Sequence, residues 1–170
     1  SSKADTFYFL YFLLHIPITI LIDSALVIKR DLRLPIQNQL VDYHVQTNLD
    51  FLLGAPPTFL VVFGWIEMLF QLPLFFIAPY YLLKRRTVIY PYIAIYGLVA
   101  SSTTLVCLCY IMIQGFEYGL ASKEINNLVF IYLPTFIIPL LMLVDVLNRY
   151  DFDKVEPLEV AEGEENNKEK

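Results

Sequence analysis

The chain has 170 residues, of which 57% are hydrophobic and only 17% are charged, and its formal net charge is -5. Soluble domains are nearer about 45–50% apolar and about 25% charged, so this composition is atypical of a water-soluble globular protein. The acidic balance also provides no basic surface of the kind that binds nucleic acid. The chain is therefore expected to be an integral membrane protein.

Four apolar runs approach or exceed the roughly 20 residues that a helix needs to cross the hydrocarbon core of a bilayer. They cover residues 7–28, 59–83, 88–113 and 128–147, which is more than half of the chain. A soluble all-α protein with very apolar core helices is the alternative, but runs this long would need a much larger protein to cover them. The sequence predicts an all-α integral membrane bundle of four helices within residues 1–150.

The cations in the short connections predict the orientation of these helices. Six cations fall on the side of the two termini and four on the opposite side, so the positive-inside rule places both termini in the cytosol. The connection from residue 29 to residue 58 is then lumenal or external, and it is long enough to fold back over the bundle as a cap. The six are Lys3, Lys84, Arg85, Arg86, Arg149 and Lys154, and the four are Lys29, Arg30, Arg33 and Lys123.

Residues 151–170 differ from the rest of the chain. They contain eight acids and three lysines and have no apolar periodicity. Segments of this kind cannot bury enough apolar surface to fold. The sequence therefore predicts a disordered, acidic cytosolic tail.

Three acidic residues lie in the apolar runs: Asp23 towards the end of the first, Glu67 inside the second, and Asp145 near the cytosolic end of the fourth, where it is expected to reach water. A charged side chain at mid-depth costs roughly 2.5–3.5 kcal/mol on insertion scales, so such residues usually face a polar cavity or a partner. Gln71 follows Glu67 by one helical turn on the same face. Two acids in one apolar bundle repel each other unless one takes up a proton or a cation arrives. The pattern predicts a pocket suited to an amphipathic cation or a hydroxylated lipid.

Other polar residues in the runs extend this pattern. His15 and Thr19 precede Asp23 at four-residue spacing and would form one stripe with it; hydroxyl groups cluster at 101–104, and two asparagines stand at 126–127. Each group has a structural alternative. The hydroxyls can bond to carbonyl groups one turn back or join helices, the histidine can be a packing residue, the asparagines can cap the fourth helix, and the acids can make an interhelical bond.

Six prolines recur inside the runs. Each removes a helix hydrogen bond and can kink the helix, and kinks in a bundle can open a cavity at mid-depth. Prolines are also common in transmembrane helices for no such reason, so both interpretations stay open. The six are Pro17, Pro73, Pro79, Pro91, Pro134 and Pro139.

The sequence contains no pattern for metal or covalent chemistry. It has no metal-ligand spacing, nucleophile elbow or phosphate-binding glycine loop. Cys107 and Cys109 are two residues apart, so on a helix they point to nearly opposite sides and cannot pair with each other. No metal, cofactor or catalytic residue is predicted.

An ordered set of short motifs runs through residues 7–150: His-Ile-Pro-Ile-Thr at 15–19 followed by Asp23, Asp50 ahead of Pro-Pro at 56–57, and Glu67 ahead of Phe-Gln-Leu-Pro at 70–73. This set closely resembles the sigma-2 receptor (transmembrane protein 97) family of the EXPERA group, which also contains the sterol isomerase called emopamil-binding protein. The resemblance implies four helices in the endoplasmic reticulum membrane with cytosolic termini, a ligand cavity that opens towards the bilayer, and frequent homodimers. It also implies binding of sterols and lipophilic amines and a role in intracellular cholesterol handling.

The resemblance assigns roles to individual residues. Asp23 would pair with the amine of a ligand, and Asp50, from the cap, would hydrogen-bond and orient it. Glu67 and Gln71 match further positions that line the pocket. The remaining residues of the predicted ligand-binding set are His15, Thr19, Thr103 and Tyr132.

One departure from the isomerase relatives matters for function. Those relatives carry a histidine four residues before the acid of the first span, as part of a proton shuttle. Here the residue is Thr19, which cannot relay protons near neutral pH as imidazole does. This favours binding without catalysis, with a membrane lipid, a second copy of the chain or a sterol-transport membrane protein as expected partners. The alternatives are a sterol Δ8-Δ7 isomerase, with Asp23 and Glu67 as the proton-handling acids, and a membrane chaperone or quality-control factor whose cavity accepts hydrophobic protein segments.

Overall fold

The computed structural model describes residues 2–154 of the chain, and its regular structure within them is helical. Four helical segments are long and apolar enough to cross a membrane, which confirms the predicted all-α membrane fold. They are Lys3–Leu21, Thr58–Leu83, Thr87–Gln114 and Ser122–Arg149. The predicted acidic tail begins at residue 151, and its part beyond 154 lies outside the described residues.

The first helix, α1 (Lys3–Leu21), is shorter than the predicted span of 7–28 at its C-terminal end. A 3₁₀ turn at Asp23–Leu26 follows it. The carbonyl of Ile20, in the last turn of α1, accepts a hydrogen bond from the side-chain amide of Gln37 in the cap, at 2.9 Å. Carbonyl groups at the end of a helix have no partner within it. This contact therefore stabilises the end of α1 at Leu21, earlier than predicted.

The predicted cap is itself largely helical and consists of α2 (Pro35–Asn48) and α3 (Phe51–Gly54). Leu49 ends α2 in the left-handed conformation, with φ of 52°, which costs a residue other than glycine about 1–2 kcal/mol. The turn brings Asp50 to the start of α3, where its Oδ1 accepts a hydrogen bond from the amide of Leu53 at 3.1 Å. The cap thereby presents an acid to the bundle.

The second span is interrupted by one wide turn. It consists of α4 (Thr58–Ile66), a π-helical turn (Glu67–Gln71) and α5 (Leu72–Leu83). Pro73 explains the interruption, because it has no N–H to donate and its ring clashes with the carbonyl group four residues earlier in a regular α-helix. Turns of this type occur frequently at functional sites, and this one carries the acid predicted to line the pocket.

The last two spans, α6 (Tyr90–Gln114) and α7 (Ser122–Arg149), pack closely against each other. Gly97 is required at their contact, since a Cβ there would lie 2.5 Å from the carbonyl oxygen of Pro139. On the other side of the bundle, α1 packs against α5.

The buried apolar side chains form two clusters along the bundle. One lies towards the two termini and includes Phe12, Phe75 and Tyr96. The other lies beneath the cap and includes Leu52 and Ile111. Side chains from both clusters contribute to the cavity that is described next.

Candidate functional site

A cavity of about 420 Å³ lies inside the bundle beneath the cap. Its walls come from all four spans, the turn after α1, and the cap. Most of the predicted ligand-binding residues line it; Thr19 lies behind the wall and touches it through Glu67. The predicted residues on the wall are His15, Asp23, Asp50, Glu67, Gln71, Thr103 and Tyr132.

Asp23 and Glu67 are the central pair of this cavity. Their carboxyl groups face each other closely enough to share a hydrogen bond, and Oε1 of Glu67 also accepts one from the hydroxyl of fully buried Thr19, at 3.1 Å. Asp23 reaches this position from the 3₁₀ turn, not from a helical stripe as predicted. The turn lies so close to α4 that a Cβ on Gly64 would be 2.6 Å from Cβ of Leu26. Glycine is therefore needed there.

Asp50 is fully buried, and protein groups already occupy most of its acceptor positions. Oδ1 accepts from the amide of Leu53 at 3.1 Å. Oδ2 accepts from the hydroxyl of Tyr132 at 2.8 Å and from Nε2 of His44 at 2.8 Å. A carboxylate offers about four lone-pair sites, so little of Asp50 is left for a ligand.

His44 is a residue of the cavity wall that the sequence reasoning missed. It lines the cavity from α2, and only 23% of its side chain is exposed. The hydrogen bond from its ring to Asp50 raises the pKa of His44 above its ordinary value of 6.5. No local signal marks His44, because it lies in a polar connection at no helical or motif spacing from the acids in the spans.

His15 lies where the cavity meets a second opening. Its Nδ1 is 2.8 Å from the carbonyl oxygen of Tyr11, and the two rings stack with centroids 3.9 Å apart. Tyr96, also missed from sequence, lines the cavity, and its hydroxyl is 2.9 Å from that of Tyr11.

A groove of about 410 Å³ between α1 and α7 shares His15 and Thr135 with the cavity. The cavity and the groove are therefore neighbours, and the groove opens on the outer surface of the bundle among exposed apolar side chains such as Leu10 and Leu14.

The other polar groups predicted from sequence have mainly structural roles. Ser101 and Thr103 donate to carbonyl groups four residues earlier, at 2.6 and 2.9 Å, which confirms the structural alternative for both hydroxyls, although Thr103 also lines the cavity. The asparagines at 126–127 are exposed, and α7 already begins at Ser122. Neither asparagine lines the cavity or caps the helix, so both interpretations of them are wrong.

The charges of the cavity wall are unbalanced. Three carboxyl groups and the imidazoles of His15 and His44 face the space, and among the described residues that line it there is no lysine or arginine. Within residues 2–154, these groups do not form a cluster that could hold a metal ion. The cavity can thus accept a cation, or a hydroxyl group that donates to a carboxylate.

Comparison with known proteins identifies the family of this architecture. Residues 35–146 match EXPERA (EXPanded EBP superfamily). The chain belongs to this family. The match runs from the start of α2 into α7, so it includes the cap with Asp50 and the π turn with Glu67.

Individual EXPERA relatives match most of the chain. "Efficient mitochondria targeting-associated protein 19" of Saccharomyces cerevisiae is 37% identical over 153 residues, which is 82% of this chain and 95% of the relative. "Sigma intracellular receptor 2" of Homo sapiens is 33% identical over 149 residues, 81% of this chain and 84% of the relative. The receptor of the same name from Xenopus tropicalis is 29% identical over 147 residues. The predicted resemblance to the sigma-2 receptor is thereby confirmed.

Proposed function

We propose that this EXPERA membrane protein binds sterols and lipophilic amines in its acidic cavity and thereby acts in intracellular sterol handling or transport. The observation that carries this proposal is the facing pair Asp23 and Glu67 in a cavity whose described wall has no lysine or arginine. Two adjacent carboxyl groups tend to share one proton, which leaves one negative charge. That charge attracts a ligand amine strongly in a site with little water. The same pair can accept the hydrogen bond of a sterol hydroxyl group.

The size and lining of the cavity support a lipid-like ligand. Its volume of about 420 Å³ falls in the range of small-molecule sites, about 300–1,000 Å³. Apolar side chains such as Ile18, Leu26 and Phe63 surround the polar pair. The neighbouring groove between α1 and α7 gives an apolar tail a path towards the lipid phase.

We propose binding without catalysis. Thr19 occupies the position of the isomerase histidine, and its hydroxyl donates to Glu67. His15 is held by the carbonyl of Tyr11. An isomerase must deliver a proton to one carbon of a double bond and remove one from another, and a threonine hydroxyl is a poor relay near neutral pH. Incubation of the purified protein with a Δ8 sterol checks this point, and formation of the Δ7 product would contradict it.

Location and partners follow the same proposal. We expect the endoplasmic reticulum membrane, cytosolic termini, and a homodimer or a sterol-transport membrane protein as partner. The human relative is named an intracellular receptor, and the charge bias of the connections supports the orientation. Acceptor sites for N-glycosylation inserted into the cap and the C-terminal tail test it, since only the cap site should be modified.

The direct test of the proposal is the lipid content of the purified protein. Mass spectrometry after gentle detergent extraction should find sterol bound to the wild-type protein and much less bound to Asp23→Asn. The matched control is Asp145→Asn, the same change outside the cavity wall, which should retain the lipid. Equal lipid content in all three proteins, or none in the wild type, would overturn the proposal.

A second candidate is a role in the targeting of hydrophobic proteins, which is favoured by the name of the yeast relative, associated with efficient mitochondria targeting. A photocrosslinker at Thr135, on the exposed edge shared by cavity and groove, separates the two. Crosslinks to newly made hydrophobic precursors that persist after sterol depletion would support this candidate. Crosslinks to lipid alone would support the first.

A further inference from the structure

His44 is placed to control the charge of the cavity. Its Nε2 is 2.8 Å from Oδ2 of Asp50, and its ring lies on the wall that also carries Asp23 and Glu67. Asp50 is fixed by two further donors, Leu53 and Tyr132. Gain or loss of a proton on His44 therefore changes the charge beside Asp50 while the other two bonds hold the carboxylate in place.

The second ring nitrogen has its own partner. Nδ1 of His44 is 3.2 Å from Nδ2 of Asn48, which lies one turn later on α2 and whose amide also donates to the His44 carbonyl. A donating amide fits a ring that is neutral at Nδ1. Protonation of the ring would make the amide turn and present its oxygen. The imidazole thus has two defined states, each with hydrogen bonds available.

The charged and titratable groups around His44 come from several elements. Asp50 contacts it directly, Tyr132 donates to the same oxygen of Asp50, and Asp23 acts on it across the cavity. On its own helix, partly exposed Asp42 is held by two hydrogen bonds to Arg30, at 2.7 and 2.6 Å. The acids of the cavity are therefore the main charges that the His44 proton can balance.

We propose that His44 sets the preference of the cavity between two classes of ligand: its neutral form raises the affinity for cationic amphiphiles, and its protonated form lowers that affinity relative to the affinity for neutral hydroxylated lipids such as sterols. This rests on the proposed function, because it refines the ligand class of the same cavity. With the ring protonated, Asp50 is neutralised and the cavity holds about one negative charge, on the shared pair. With the ring neutral, the cavity is more negative by one charge and attracts a cation more strongly.

The direction of the pH effect follows from the pair with Asp50. Because the hydrogen bond to Asp50 raises the pKa of His44, the charged pair stabilises the fold fully below the ordinary imidazole value, and this contribution is lost as the pH rises through the raised pKa. Affinity for a cation changes in the opposite sense and increases over the same interval. A neutral sterol should show little change.

The test uses the full chain in detergent and two probes, a lipophilic quaternary ammonium compound, whose charge does not titrate, and cholesterol. Affinities are measured from about pH 5.5 to about pH 8.5, an interval that brackets an imidazole. The ammonium affinity of the wild type should rise about tenfold more than that of His44→Gln. Asn48→Asp, which stabilises the protonated ring, should move the rise to higher pH. Cholesterol affinity should stay within about twofold.

The outcomes separate this inference from the proposal on which it rests. If both probes bind but wild type and His44→Gln have the same pH profile, the role of His44 is wrong and the proposed function stands. A rise that His44→Gln abolishes and Asn48→Asp leaves in place would also contradict the two-state role of the ring. If neither probe binds the wild type at any pH, the proposed function and the inference both fail.

Discussion

Two groups of carboxylates lie towards opposite ends of α1, and they differ in whether an arginine pairs with them. Near its start, Asp5 and Asp145 each lie 3.0 Å from the guanidinium of Arg149, and Asp145 also accepts a hydrogen bond from Tyr8. Beyond its end, Asp23 and Glu67 face each other in a cavity wall where no described residue is a lysine or arginine. The first group joins α1 to α7. The second group has no cationic partner among the described residues of that wall, and we propose that it binds the ligand.

The difference shows what pairing with a cation does to an acid in a membrane protein. An arginine that is bound to two carboxylates offsets part of their negative charge and joins the helices that carry them. A carboxyl pair without such a partner must share a proton or attract a cation. If the proposed function is right, the same residue types serve structure at one site and ligand recognition at the other, and substitutions at the two sites should separate stability from binding.

The largest expected effect is on binding, from Asp23→Asn. Affinity for a lipophilic amine should fall by at least about 100-fold, because the amide keeps the shape of the side chain but removes a buried charge opposite the ligand. The unfolding temperature without ligand should stay the same or rise, since Glu67 loses a like-charged neighbour. Radioligand binding and thermal unfolding in detergent measure the two quantities. Unchanged affinity would exclude Asp23 as the anchor.

The next effect comes from a pair of glycine substitutions. Gly64→Ala should destabilise by about 1–3 kcal/mol and also weaken binding, because it displaces the turn that carries Asp23. Gly97→Ala should destabilise similarly through the contact between α6 and α7 but leave affinity nearly unchanged when corrected for folded protein. The comparison is made by thermal unfolding and by binding to the folded fraction. An equal loss of affinity in both variants would mean that binding depends on the stability of the whole bundle and not on the position of the turn that carries Asp23.

A smaller effect is expected at the other end of α1, from Arg149→Gln. Removal of the cation leaves Asp5 and Asp145 facing each other without their partner and should lower the free energy of unfolding by about 1–2 kcal/mol, since the site is partly exposed. Ligand affinity should remain within about twofold. Denaturation in detergent and a binding isotherm on the same preparation check both. A large loss of ligand affinity would show that the Arg149 site influences the cavity, and it would contradict the independence of the two regions.

The smallest expected effect is that of Thr19→Val. This change removes the hydroxyl that donates to Glu67 at 3.1 Å and nearly preserves the shape of the side chain. We expect a change of about 0.5–1.5 kcal/mol in amine binding, measured as an affinity change of about twofold to tenfold. Thr6→Val, at an exposed position near the start of α1, is the control. No difference between the two variants would show that the Thr19 hydroxyl does not position Glu67.

The fold and the central acids could be predicted from sequence because both depend on local patterns. Long apolar runs define the spans, and a lone acid inside such a run, as at Glu67, is conspicuous because its insertion is costly. The end of α1 could not be predicted in this way. The carbonyl of Ile20 accepts hydrogen bonds both from Ser24 in the following turn and from Gln37, which reaches back from the cap. Such a contact over a long sequence separation leaves no local signal.

The same limit applies to the partners of the acids. Asp145 keeps 33% of its side chain exposed, in line with the expectation that it reaches water, but it also binds Tyr8 and Arg149, and Tyr8 lies at the opposite end of the sequence. His44 appeared in the sequence only as a polar residue of a connection. Its pairing with Asp50 depends on the left-handed turn at Leu49, which the residue type does not favour. In both cases contacts between distant parts of the chain determine the partner of the residue.

The most direct test of the central claim is the protonation of the acid pair, measured by infrared difference spectroscopy. The wild type should show the stretching band of a protonated carboxyl group, and this band should shift in frequency when a lipophilic quaternary ammonium compound binds, because the cation neutralises the one negative charge beside the carboxyl group that keeps the shared proton. Imidazole does not contribute to this band, and Glu67→Gln, which leaves Asp23 as a lone carboxylate, should bind the cation without the shift. A wild-type band that stays unaltered on binding, or a shift of equal size in Glu67→Gln, would contradict the claim that Asp23 and Glu67 form the ligand anchor.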